Sequence, residues 1–198
     1  MIIIPFFLSI LNSDFYTKIL LLGAKKVVIT GGPGTGKSTL ISELKKQGFI
    51  CFEEISRQVT LEAQKKGIDQ LFLKNPLLFS ERLLNGRHKQ YIKASTSESN
   101  IVFLDRGVHD VLAYMDYIGD SYPKSFIDVC NTSVYDAAFI LSPWEAIYKS
   151  DNERYENFEQ VLKIHNHLLH TYQSYNYNLI DVPFGTVKER TDFIINAL

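Results

Sequence analysis

The segment Gly31-Gly32-Pro33-Gly34-Thr35-Gly36-Lys37-Ser38 follows the apolar run Lys26–Thr30 (KVVIT) and precedes a helical pattern. It fits GxxxxGK[ST] in the strand-to-helix context that this spacing requires. The chemistry accounts for the residue types. Glycines let the backbone curl until successive N–H groups face inward, and the following helix adds its positive end, which together cradle phosphate oxygens. Lys37 then reaches the β- and γ-phosphates of a nucleoside triphosphate, and Ser38 offers a hydroxyl ligand to Mg²⁺. ATP and Mg²⁺ are the expected ligands, held by Gly32, Gly34, Thr35, Gly36, Lys37, Ser38 and Thr39.

The rest of the chain supplies the scaffold such a loop needs. Four more short apolar runs, Phe49–Glu53, Ile101–Asp105, Ala137–Leu141 and Asn178–Val182, alternate with helical patterns, as βαβ units of a parallel sheet do. The runs are continuous rather than alternating, as expected when helices cover both faces. Helices are expected over Ser38–Gln47, Ser56–Lys66, Pro76–Ala94, Arg154–Tyr172 and Val187–Leu198. A chain of 198 residues, 45% hydrophobic, suits one α/β domain. We place that domain at 25–198. The apolar leader 1–24 has no basic n-region and is interrupted by Pro5. It is expected to be a disordered segment or a mis-called start, with an added packing element and a membrane-interface anchor as alternatives.

Composition narrows the partners. The 21 basic and 22 acidic residues nearly cancel, so no global field favours nucleic acid or an anionic membrane. Cys51 and Cys130 form no zinc spacing and are expected to be reduced thiols, consistent with a cytoplasmic protein. His165, His167 and His170 offer no i,i+4 pair for a metal.

Charged residues at strand ends are the candidates for chemistry, because ligands sit at the carboxyl edge of open α/β sheets. Ile101–Asp105 ends in Asp105 and Arg106. Asp105 belongs either to the Mg²⁺ shell, to proton transfer or to the cap of the next helix. The second run ends in Glu53 and Glu54, followed by Arg57. Here Glu54 is the favoured general base and Arg57 the holder of an anionic group, against the alternative of a solvated helix start. Pro143 to Arg154 resembles a lid, in which Arg154, with Lys149 in reserve, would meet the charge developing in phosphoryl transfer. Pro183 and Phe184 form an apolar turn, suited either to an adenine ring or to the core.

In order, ITGGPGTGKS, EEISR, FLDRG, PWEAIYKSDNER and the Val182-Pro183 turn resemble the NadR-like AAA-domain ATPases, a family that includes the ribosylnicotinamide kinase domain. The likeness runs from about Lys25 to the end of the chain. It implies a nucleoside-kinase-like five-stranded parallel sheet of order 2-3-1-4-5. It also implies phosphate binding at Gly34, Gly36, Lys37, Ser38 and Thr39, an acid and arginine on the substrate side at Glu54 and Arg57, and Asp105 with Arg106 behind the phosphates. The chain after the motif is too short for the helical lid domain of hexameric motors. Two functions are expected from this reading. One is a kinase that moves the γ-phosphate to a small hydroxylated acceptor such as a nucleoside or ribosylnicotinamide. The other is a nucleotide-hydrolysing or nucleotide-sensing switch that binds a protein or lipid partner. The absence of an NKxD-type segment disfavours a Ras-like GTPase.

Overall fold

The computed structural model describes residues 23–148 and 156–198. Its parallel sheet has five strands in the order β2-β3-β1-β4-β5: β1 is Lys25–Gly31, β2 Ile50–Phe52, β3 Ile101–Asp105, β4 Ala137–Leu141 and β5 Ile180–Asp181. The helices that connect them are α1 (Lys37–Lys46), α2 (Ser56–Gln64), α3 (Leu71–Lys74), α4 (Pro76–Ser95), α5 (His109–Ile118), α6 (Lys124–Thr132), α7 (Phe158–Ser174) and α8 (Val187–Asn196).

Strand β1 is central, hydrogen-bonded to β3 on one side and β4 on the other, with Ile29 opposite Asp105 and Gly31 opposite Leu141. Its side chains alternate between two cores. Val27 and Ile29 join Leu40, Ile41, Leu44 and Ile194 of α1 and α8 on one face. Val28 joins residues of α4, α5, α6 and α7 on the other. Both faces are therefore covered, which is why the strands carry unbroken apolar runs. Ala24 also packs in the second core.

The edge strands β2 and β5 are shorter than the apolar runs suggest, since each has a neighbour on one side only and its ends find no ladder partner. Helix α7 begins at Phe158 rather than at Arg154. Asn157 caps it with a capping box, its side chain accepting from the Gln160 N–H while Gln160 accepts from the Asn157 N–H. The short helix α3 and a 3₁₀ turn at Glu145–Ile147 lie in segments without strong sequence periodicity. Among the described residues, no helix is long and apolar enough to cross a membrane.

Candidate nucleotide and acceptor site

The loop from Gly31 to Gly36 links β1 to α1 at the carboxyl edge of the sheet. Gly31 has φ +143°, and a Cβ there would lie 2.7 Å from the Leu141 carbonyl oxygen, so only glycine fits between the strands at this point. Helix α1 follows Gly36 with no side-chain cap and no acid in its first turn, which leaves its N–H groups available to an anion. The Ser38 and Thr39 side chains are exposed on the same turn. Thr35 plays an internal part, its hydroxyl donating to the Gly32 carbonyl at 2.9 Å.

Lys37 is folded back on the loop, its ammonium donating to the carbonyls of Gly31 and Gly32, both at 2.6 Å. Burial lowers its pKa to about 7, reinforced by the Arg106 charge and opposed by Asp105, Asp110 and Glu54. Phosphate favours the charged form, so triphosphate binding above pH 7 must draw a proton onto Lys37. Calorimetry at pH 8 in buffers of different ionisation enthalpy is expected to show proton uptake that disappears at pH 6, and affinity should fall as pH rises through 7.

Two carboxylates near the loop are in opposite situations. Asp105, at the end of β3, is buried, and its Oδ1 has no partner among the described residues. Burial raises its pKa, only partly offset by Lys37. It does not cap the next helix, whose first residue follows Val108. Asp110, which the sequence reading did not single out, accepts from Thr30 Oγ1 at 2.6 Å, Tyr172 OH at 2.7 Å, the Gly107 N–H at 2.9 Å and Arg106 at 3.2 Å. Burial opposes its charge, but Arg106, Arg87 and these donors outweigh that and hold the pKa below the usual value.

Glu54 is likewise committed. It accepts from Arg87 with both oxygens, at 3.0 and 2.9 Å, pairs with Arg106, and caps α2 through the Ile55 and Ser56 N–H groups. The two arginines overcome the effect of burial and hold its carboxyl below the usual range. A carboxylate so fully used is a poor proton acceptor, so the geometry suits Glu54 to organising arginines rather than to the general-base role expected from sequence. Arg106 adopts φ +73°, uncommon for a residue with a side chain, while its N–H continues the sheet to the Ile29 carbonyl. Such a conformation persists where surrounding bonds over-determine it, as the pairs to Glu54 and Asp110 do here.

Beside the loop lies a cavity of about 520 Å³ lined by Pro33 and by the charged residues Glu54, Arg57, Arg87, Arg106 and Asp110. Phe72, Phe79, Leu83 and Leu168 are among its apolar lining residues. Arg57 is exposed at its rim. On the other side of the loop, Phe184 stacks on Trp144 with ring centroids 4.8 Å apart, and Pro183 is exposed beside it. Arg190 of α8 stands 5.7 Å from the Trp144 ring and donates to the Thr35 carbonyl at 3.2 Å. Phe184 is thus exposed against a half-buried Trp144 rather than in the core. Lys149 and Arg154 lie outside the described residues.

Arg87, Asp110 and Arg190 were missed from sequence, although each leaves a trace there: a charge placed on the apolar face of a helix. Arg87 follows Leu83 by four residues, Asp110 directly precedes the buried run Val111, Leu112 and Ala113 of α5, and Arg190 precedes Ile194 by four.

An AAA-domain family model matches residues 26–190. The chain belongs to this AAA-domain family. The AAA-domain match takes in the phosphate loop and, but for Lys25, all five strands. Among solved structures, this AAA-domain chain is similar in fold to deoxyadenosine kinase from M. mycoides, at 20% identity and TM-score 0.63, covering 87% of this chain and 97% of that one. It is also similar to NadR protein in complex with NAD and AMP-PNP, at 19% identity and TM-score 0.64, covering 88% of this chain but only 48% of the NadR chain. A third similar fold is thymidylate kinase from Candida albicans, at 19% identity and TM-score 0.61, covering 88% and 91%. No curated protein matches the chain in sequence.

Proposed function

We propose that this protein is a cytoplasmic Mg²⁺-ATP-dependent kinase that transfers the γ-phosphate to a hydroxyl of a small acceptor, a nucleoside or a ribosylnicotinamide-like molecule. The observation that carries the reading is the cavity beside the phosphate loop, which shares Pro33 with it and has the volume of a small-molecule site. A nucleotide switch needs no such pocket. Three similar folds, deoxyadenosine kinase, thymidylate kinase and NadR, are consistent with this choice.

The residues have separable roles under this reading. The loop amides and Lys37 hold the triphosphate, while the Trp144 and Phe184 pair, with Pro183, offers a flat surface to the adenine ring. A bound Mg²⁺ would be held by the Ser38 hydroxyl and Asp105, whose orphaned buried oxygen fits a cation, and it would neutralise negative charge on the phosphates. Arg106 and Arg87, fixed by Glu54 and Asp110, present positive charge where the phosphoryl group passes toward the acceptor. Because phosphoryl transfer passes through a loose transition state, positioning of the acceptor hydroxyl matters more than a strong base. Arg154, and Lys149 in reserve, are the proposed lid cations.

The test is ATP consumption measured against a panel of nucleosides, with hydrolysis in their absence as the control. Acceptor-dependent ADP formation, matched by phosphorylated product, is expected. Equal hydrolysis with and without every acceptor would refute the kinase reading in favour of the switch.

A further inference from the structure

Arg190 of α8 is a charged side chain with almost no surface, at 4% exposure. It touches two functional elements at once. Its Nη2 donates to the Thr35 carbonyl of the phosphate loop, and its guanidinium lies within cation–π reach of Trp144. Gly36 makes room for it, since a Cβ there would come within 3.0 Å of Arg190 Nη1. Burying a cation in this place is costly, and its Nε has no hydrogen-bond partner among the described residues. Packing alone would be served better by an apolar side chain. Too buried to be a ligand contact itself, Arg190 can act on the site only through what it holds.

Both of its contacts are rigid. Helix α8 starts in a capping box, in which the Thr186 hydroxyl accepts from the Glu189 N–H and Glu189 accepts from the Thr186 N–H. Phe184 lies two residues before that cap and Arg190 four residues after it, so one fixed segment meets Trp144 with both side chains. On the loop side, Thr35 is buried and its hydroxyl donates to the Gly32 carbonyl at 2.9 Å. The peptide from Thr35 to Gly36 is trans, and in a trans peptide plane the C=O and the following N–H point in opposite directions. A carbonyl held toward α8 therefore turns the Gly36 N–H away from α8.

We propose that Arg190 is a positioning residue that couples the aromatic pair to the phosphate loop. Through the Thr35 carbonyl it sets the peptide plane that presents the Gly36 N–H to a phosphate oxygen, and through its guanidinium face it carries the state of the loop to Trp144. Base stacking at Trp144 and phosphate binding at the loop then support each other. The role of Arg190 rests on the reading of the loop as a triphosphate site and is independent of the acceptor.

The test uses Mg²⁺ tripolyphosphate, which offers three linked phosphates but no base to touch Trp144, the only tryptophan of the chain. Titrated into wild type, it is expected to change the Trp144 emission, because an anion in the loop alters the field of the charge beside the indole. Arg190→Met keeps most of the side-chain volume while removing the charge and the donors. Its affinity for tripolyphosphate, measured by calorimetry, should fall about tenfold, and its emission should not respond even at saturation. Arg190→Lys keeps a charge and a donor, and should bind within about threefold of wild type with the response retained. Wild-type affinity in Arg190→Met, or an emission change that survives in it, would overturn the assignment and make Arg190 a packing residue. If Arg190→Met does not fold, the other two proteins decide: a response in both supports the coupling, and a silent Trp144 in either at saturation overturns it. If wild type binds neither tripolyphosphate nor ATP, the triphosphate reading itself falls and takes the role of Arg190 with it.

Discussion

Replacing Lys37 by alanine is expected to weaken ATP binding and to lower phosphoryl transfer by on the order of 10²–10³, the range for removing one preorganised charge from a developing anion. The side chain is the one cation built into the phosphate loop itself, and without nucleotide it donates within that loop, to the carbonyls of Gly31 and Gly32 and, at 3.3 Å, to the Thr35 hydroxyl. Those carbonyls lose a donor in the variant, a cost of about 1–3 kcal/mol if they remain unsatisfied. Against that, a buried ammonium is removed, so the net change in stability should be small beside the functional loss. Isothermal calorimetry with Mg²⁺-ATP, paired with thermal unfolding, separates the two quantities. ATP affinity equal to wild type would refute the role given to the loop. The proton uptake expected at pH 8 should vanish in the same variant, which ties that uptake to Lys37 rather than to the nucleotide.

The fold was legible in the sequence because its signals are local. Continuous apolar runs, the glycine-rich turn and the helical periodicities each occupy a few consecutive residues, and the sheet order followed from the family likeness. The site was legible only in part, for a physical reason. Lys37, Ser38 and Asp105 sit in a motif or at a strand end, where position alone suggests exposure to ligand. Arg87 and Asp110 are fixed by partners 33 and 80 residues away, Glu54 and Thr30, and no local pattern records such a pairing. Glu54 shows the converse. Its place at a strand end suggested a base, whereas the two arginines that consume its lone pairs come from α4 and from the end of β3. The tyrosine that completes the Asp110 shell, Tyr172, lies on the buried face of α7, where sequence shows only another apolar position.

Asp105 and Asp110, five residues apart, are expected to fail in opposite ways when altered. The pKa of Asp110 is held below its usual 3.8, so its stabilising contribution is present above that value and is lost as pH falls through the lower folded pKa. Asp105 has the reverse sign: with its pKa raised, its contribution is fully present below 3.8 and is lost as pH rises through the folded value, leaving it destabilising at neutral pH. Asp105→Asn removes that buried charge, so its thermal midpoint without ligand should equal or exceed that of wild type, while kcat falls by about 10²–10³ through loss of the carboxylate next to Lys37. Asp110→Ala instead strands Arg106, Thr30, Tyr172 and the Gly107 N–H in the interior. Breaking a buried ionic network in this way destabilises by about 3–5 kcal/mol. In a chain of this size that corresponds to a fall of roughly 10 °C in the midpoint. Acid unfolding adds an independent check, because wild type should lose stability below about pH 4 more steeply than Asp110→Ala, which has already lost the carboxylate that titrates there. Equal destabilisation by the two substitutions would mean that Asp105 is a structural residue like its neighbour, and the Mg²⁺ shell would then need another carboxylate.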